Sequence, residues 1–98
     1  MIDWLSIDGF DWDVGNSSKN EAHLVSLAES EQTFFNEPLL LLSDTKHSQH
    51  EPRYHALGKT NDGRRLHITF TLRKDNSKIR VISARDMHKK ERAIYEAS

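Results

Sequence analysis

The sequence predicts an α+β fold in which an antiparallel sheet carries helices on one face. Three observations predict it. Leu66, Ile68, Phe70 and Leu72 alternate with His67, Thr69, Thr71 and Arg73, the period-two pattern of a half-buried strand. Asn61-Asp62-Gly63 precedes that strand and offers the positive φ that a hairpin turn needs. Ser26-Leu27-Ala28-Glu29 is a capping box, the signature of a helix start.

Along the chain, residues 1–8 form a lead-in, and Phe10-Asp11-Trp12-Asp13 alternates apolar with acidic as a short strand does. Gly15 to Leu24 holds a candidate N-cap at Ser17 or Ser18 and reads as a first helix. The capping box opens a second helix, with Leu27, Phe34 and Phe35 on one face and an end near Asn36, before Pro38. Leu39 to Leu42 is a continuous apolar run that predicts a buried strand. After a loop from Asp44 to Pro52, Arg53 to Gly58 predicts the strand that the Asp-Gly turn joins to the next. Asp75-Asn76-Ser77 turns the chain into a strand from Ile79 to Ala84, and Asp86 caps a final charged helix through Ala97. The expected order is βααββββα.

Ninety-eight residues with 36% apolar and 30% charged side chains suit one folded domain over residues 1–98, and exclude the composition of a disordered chain. The absence of cysteine excludes disulfides and thiolate metal sites, and fits a reducing compartment, the cytoplasm. Met1 is followed by acidic residues rather than a basic region and a long apolar segment, so neither a leader nor a membrane span is expected. The net charge of −1 conceals a division along the chain. Residues 1–51 hold ten acids and two bases, a balance of −8, whereas residues 52–98 hold twelve bases and five acids, a balance of +7. A basic half supplies phosphate contacts and an acidic half steers a basic partner, unless the two intermix on the folded surface. No glycine-rich phosphate loop or dinucleotide fingerprint is present, which argues against a nucleotide cofactor.

Ile79-Arg80-Val81-Ile82-Ser83-Ala84-Arg85, with Glu91-Arg92 and Tyr95 after it, resembles the carboxyl-terminal signature of BrnT-type toxins. Phe10, Trp12-Asp13, Asn20, His23, Val25-Ser26, Phe34, Arg53 and Gly58 fall in the same family's order, so the resemblance covers nearly the whole chain. It implies a RelE-like fold and a type II toxin that cleaves RNA without a metal and inhibits translation. It also implies a hetero-oligomer with a ribbon-helix-helix antitoxin, BrnA-like, through which alone operator DNA is bound. The chain departs from the family twice. Asn16 stands where lysine is common, and the stretch from Asn20 to Ser26 is one residue short, so that a Lys-His pair is reduced to His23. One residue fewer in a helix rotates the side chains before the gap by about 100° relative to those after it.

Metal-free RNA cleavage needs a base for the 2′-hydroxyl, an acid for the 5′-oxygen and cations over the phosphorane. His23 is the first candidate for acid or base, since imidazole exchanges protons near neutrality; alone, it also reads as a surface residue. Arg85, at the junction of the last strand and helix, is the candidate for transition-state charge. Glu91 is a candidate acid and Arg92 a substrate contact, and the two also suit helical ion pairs. Arg53, counted with the catalytic candidates, and Arg80, counted with the RNA contacts, either line the basic surface or are solvated sheet positions. Tyr95 either stacks a base or caps the core. His47-x-x-His50 with His55 matches no closed zinc set, so no metal and no cofactor are expected. The competing reading is a catalytically impaired binding module that acts with the antitoxin in operon autoregulation. A free-standing transcription factor is disfavoured by the lack of a helix-turn-helix pattern with a basic recognition helix.

Overall fold

The computed structural model describes residues 2–13, 15, 23–44, 46 and 51–98. A 3-10 turn at Trp4–Ser6 leads into β1 (Gly9–Phe10), and then come α1 (Leu27–Thr33), β2 (Leu40–Asp44), β3 (Arg53–Lys59), β4 (Arg65–Arg73), β5 (Lys78–Asp86) and α2 (Lys89–Glu96). The strands form one sheet in the order β1-β5-β4-β3-β2.

β2 to β5 pair antiparallel, as expected, but β1 runs parallel to β5 with Gly9 opposite Lys78 and Phe10 opposite Ile79. The sheet is therefore mixed, not antiparallel. Parallel pairing requires a long connection, and residues 11–77 lie between these two strands. The first strand also lies earlier than expected: beyond Phe10 only the Asp11 N–H continues the ladder, to the Ile79 carbonyl at 2.8 Å. The first expected helix, Gly15 to Leu24, lies largely outside the described residues; its last two positions, His23 and Leu24, form a turn.

The capping box closes as the sequence predicts. Ser26 Oγ accepts the Glu29 N–H and Glu29 Oε1 accepts the Ser26 N–H, both at 3.0 Å. α1 then stops at Thr33, earlier than the apolar spacing suggests, because Phe34 turns off its end to meet Phe70 edge-on with ring centroids 5.1 Å apart. The expected buried strand is instead the outermost one. β2 sits at the sheet edge and Leu42 is 65% exposed, so its apolar run does not report burial on both faces.

α1 covers one face of the sheet, over a core of Val25, Ala56, Leu66, Ile68, Phe70, Ile79, Val81 and Ala84. It approaches β3 at Gly58, where a Cβ would meet Thr33 Cγ2 at 2.6 Å and Leu39 Cδ1 at 3.1 Å. Gly58→Ala is accordingly expected to destabilise the fold by roughly 1–3 kcal/mol, read as a lower urea midpoint with an unchanged slope. α2 does not share that face. Leu57, which points opposite to Ala56 and Gly58, packs with Met87, Tyr95 and Leu40, placing α2 on the second face. The helices thus sandwich the sheet instead of lying on one side.

A bulge interrupts the β4–β5 ladder. Thr69 pairs with Ser83 and Phe70 with Val81, so Ile82 is the extra residue. Burial switches phase there, from Ile79 and Val81 to Ala84. The shift puts Arg85, opposite His67, on the second face together with Arg80 and Ser83. Without it Arg85 would continue the inward series of Ile79 and Val81.

Candidate active site

The second face gathers polar side chains from five elements at the point where α2 leaves it bare. β5 supplies Arg85, α2 supplies Glu91, β4 supplies His67 and Thr69, and the β2–β3 pair supplies Asp44 and His55. Glu91 is placed by helix capping: its Oε1 accepts the His88 N–H at 2.8 Å, which fixes the carboxylate over the start of α2. From there it holds the Arg85 guanidinium bidentately, Nη1 to Oε1 at 2.8 Å and Nη2 to Oε2 at 3.0 Å. Arg85 Nη1 also donates to the Asp86 carbonyl at 3.1 Å. Two donors remain. The Nε–H and the second Nη2–H, which form the other fork of the planar group, meet no acceptor among the described residues, and the side chain is 29% exposed.

His67 lies beneath this pair, with Nε2 3.9 Å from Glu91 Oε2. Burial, helped by the Arg85 charge, pushes its pKa down to about 4 despite the opposing pull of Glu91. Its Nδ1 is buried without a hydrogen-bond partner. The Arg85 hydrogen bonds, with the His88 N–H, hold the Glu91 carboxyl down at about 2 against the opposing effect of burial. Near neutral pH this part of the site is therefore a fixed carboxylate, a fixed guanidinium and a neutral imidazole.

The cluster extends toward the sheet edge. The His55 ring lies 4.9 Å from that of His67, centroid to centroid. Its Nε2 is 2.9 Å from Asp44 Oδ2 and its Nδ1 is 3.0 Å from Thr69 Oγ1. The Asp44 carboxylate accepts only, so it selects the Nε2–H tautomer, and Nδ1 of the neutral ring then accepts the Thr69 hydroxyl proton.

Of the residues singled out in the sequence, the structure brings Arg85 and Glu91 into direct contact. Arg53 begins β3 on the same face, opposite Asp44 and two residues before His55. His23 is exposed in its turn. The adjoining Leu24 carbonyl accepts Arg64 Nη1 at 2.8 Å, and Arg64 also holds Asp86, which brings His23 to the end of the sheet where Arg85 lies. Among the described residues no hydrogen bond joins His23 to the cluster. Arg80 shares the face but directs its guanidinium to Asp11 at 3.4 Å and Asp13 at 2.7 Å, and these carboxylates raise its pKa further. Arg92 is exposed on α2, with Nη1 3.3 Å from the Met87 carbonyl. Tyr95 is buried, and its hydroxyl donates to the Pro38 carbonyl at 2.7 Å, joining α2 to the lead-in of β2.

His67, His55, Asp44 and Thr69 are absent from the residues that sequence singled out as catalytic or RNA-binding. Alternation places His55 and His67 outward on their strands, but the cross-strand register that joins them is a tertiary fact. His47 and His50 lie outside the described residues, and His55 is engaged by Asp44 and Thr69. Among the described residues no cluster of three or more His, Asp or Glu side chains forms a metal site, and no helix is long and apolar enough to cross a membrane.

No curated protein matches the chain in sequence. A family model described as the ribonuclease toxin, BrnT, of type II toxin-antitoxin systems matches residues 12–91, a span that includes Arg53, His67, Arg85 and Glu91. Covering most of the 98 residues, that match establishes that the chain belongs to the BrnT family of ribonuclease toxins.

Proposed function

We propose that this protein is a metal-independent endoribonuclease, a single toxin domain over residues 1–98 that acts in the cytoplasm, cleaves RNA and thereby inhibits translation. A cognate ribbon-helix-helix antitoxin neutralises it in a hetero-oligomer and carries the binding of operator DNA. The observation that supports this reading best is the open fork of Arg85. Its Nε–H and Nη2–H are arranged for two oxygens of one phosphoryl group, while Glu91 holds the opposite edge.

The reaction begins when a 2′-hydroxyl loses its proton and attacks the adjacent phosphorus. Charge grows on the non-bridging oxygens, where Arg85 meets it, and the 5′-oxygen leaves with a proton. Glu91, anionic down to about pH 2, serves as the positioning residue for Arg85 rather than as the acid. His23, at the same end of the sheet, is assigned proton transfer, and Arg53 and Arg92 are assigned to the RNA backbone, whereas Arg80 is held by Asp11 and Asp13. Tyr95 contributes packing beneath α2.

A second reading rests on one observation. Neither His67 at about 4 nor Glu91 at about 2 exchanges a proton near neutral pH, as expected of a face that binds RNA or antitoxin without catalysing. Incubating the protein with single-stranded RNA in excess EDTA separates the two. The first reading expects fragments ending in 2′,3′-cyclic phosphate. Intact RNA at micromolar protein, with a retained mobility shift, overturns it in favour of the second.

A further inference from the structure

A second surface lies on the α1 side of the molecule, away from Arg85. Leu5 is 98% exposed, Phe35 78% and Trp4 40%, although all three are large apolar residues. Trp4 and Phe35 line one groove, and Leu5 adjoins Trp4 on the same turn. A groove of about 600 Å³ runs between the 3-10 turn, β1 and the end of α1, with Trp4, Phe10, Phe34 and Phe35 among its walls. Phe34 links two of these rings, its centroid 6.4 Å from Trp4 and 5.7 Å from Phe10, and Phe10 is 6.4 Å from Phe35. A continuous aromatic patch of this kind, rimmed by polar groups, marks a protein-binding surface.

The rim identifies the occupant. Asp8 and Glu31 line the groove and Asp3 precedes Trp4 on the turn; Lys78 pairs with Asp8, whereas Glu31 and Asp3 meet no cation among the described residues, so the rim keeps a net negative charge. All three acids belong to the half of the chain that carries −8. An acidic rim repels RNA, and it repels a second copy of the same rim; it attracts a basic partner. β1 is only two residues long, too short to template an added strand, so recognition rests on side chains seated in the groove.

We propose that this groove docks an amphipathic helix of a partner protein, apolar on one face and rich in lysine or arginine on the other. In identifying that partner with the antitoxin, the inference rests on the proposed function; the chemistry of the groove does not depend on it. Because the groove and the Arg85 fork are on opposite sides of the sheet, a helix anchored here leaves the rest of its chain free to reach around to the fork.

The test uses the full chain and two synthetic amphipathic helices of about five turns, identical in their leucine stripe, one with lysines and one with glutamates on the polar face. Tryptophan fluorescence reads binding. The lysine peptide is expected to saturate in the micromolar range and to bind about ten-fold more tightly than the glutamate peptide. The double variant Leu5→Ser, Phe35→Ser is expected to weaken the lysine peptide by about ten-fold. Both side chains are exposed, so circular dichroism and the urea midpoint should stay unchanged. Equal binding of the two peptides, no binding of either, or indifference to the double variant overturns the proposal. So does concentration-dependent dimerisation that the double variant abolishes, which would assign the patch to a second copy. RNA cleavage is not read at any step, so failure of the ribonuclease reading and failure of this inference are told apart.

Discussion

Replacing Arg85 by alanine is expected to lower RNA cleavage by about 100- to 1,000-fold, the usual effect of removing one preorganised donor group from a transition state. The size reflects how the residue is held. Its guanidinium is fixed on one edge by both oxygens of Glu91 and presents the other edge outward, so little reorganisation accompanies charge development on the phosphorane. Arg85→Lys is expected to recover only a small part of the loss, because a lysine ammonium is a point charge and reproduces neither fork. Glu91→Gln should act indirectly, leaving the cation in place but loosening its aim. Measured by single-turnover cleavage of a defined RNA, a rate for Arg85→Ala within a few-fold of the parent would remove Arg85 from the reaction. Urea denaturation at neutral pH guards against misreading an unfolded variant.

Acid is expected to destabilise the protein in two overlapping steps. His67 titrates at 6.5 when unfolded and at about 4 when folded, so between these values the unfolded chain binds more protons and stability falls as pH falls. Glu91 moves from 4.5 to about 2, and its contribution, fully present above 4.5, is lost as pH drops through that lower window. Each shift corresponds to about 3 kcal/mol at full titration, a large share of a small domain's stability. Urea unfolding between pH 7 and pH 3 should show the decline. His67→Asn should flatten its upper part, and Glu91→Gln should flatten the lower part while reducing stability at pH 7, where it unties Arg85. A parent protein equally stable at pH 7 and pH 4 would contradict the assignment.

Local chemistry made some of this legible in the sequence. The Ser26–Glu29 box and the alternation from Leu66 to Leu72 report hydrogen bonds and burial within a few residues, and both are found where expected. Arg85 and Glu91 were singled out through the family signature; six positions apart across a strand-to-helix junction, they meet directly, a contact that the signature alone does not report. What failed depended on distant parts of the chain. The parallel pairing of β1 joins Phe10 to Ile79, the exposure of Leu42 comes with the place of β2 at the edge of the described sheet, and α2 chose the face opposite α1 because Leu57, not Ala56, meets Tyr95. The pairing of His55 with His67 was illegible for the same cause: twelve residues separate them in sequence, and only the β3–β4 register sets their rings side by side.

The bulge at Ile82 makes the length of the last strand as binding a constraint as its composition. Removing a single residue between Val81 and Arg85 would restore a regular ladder and swap the sides of everything beyond it. A guanidinium would then be driven into the apolar interior, and Ala84 would stand where substrate is expected. Substitutions along this strand can be graded by what each side chain contributes, but insertions and deletions have no such gradation. The strand behaves as a ruler with one extra notch, and the proposed chemistry on the open face depends on that notch being kept.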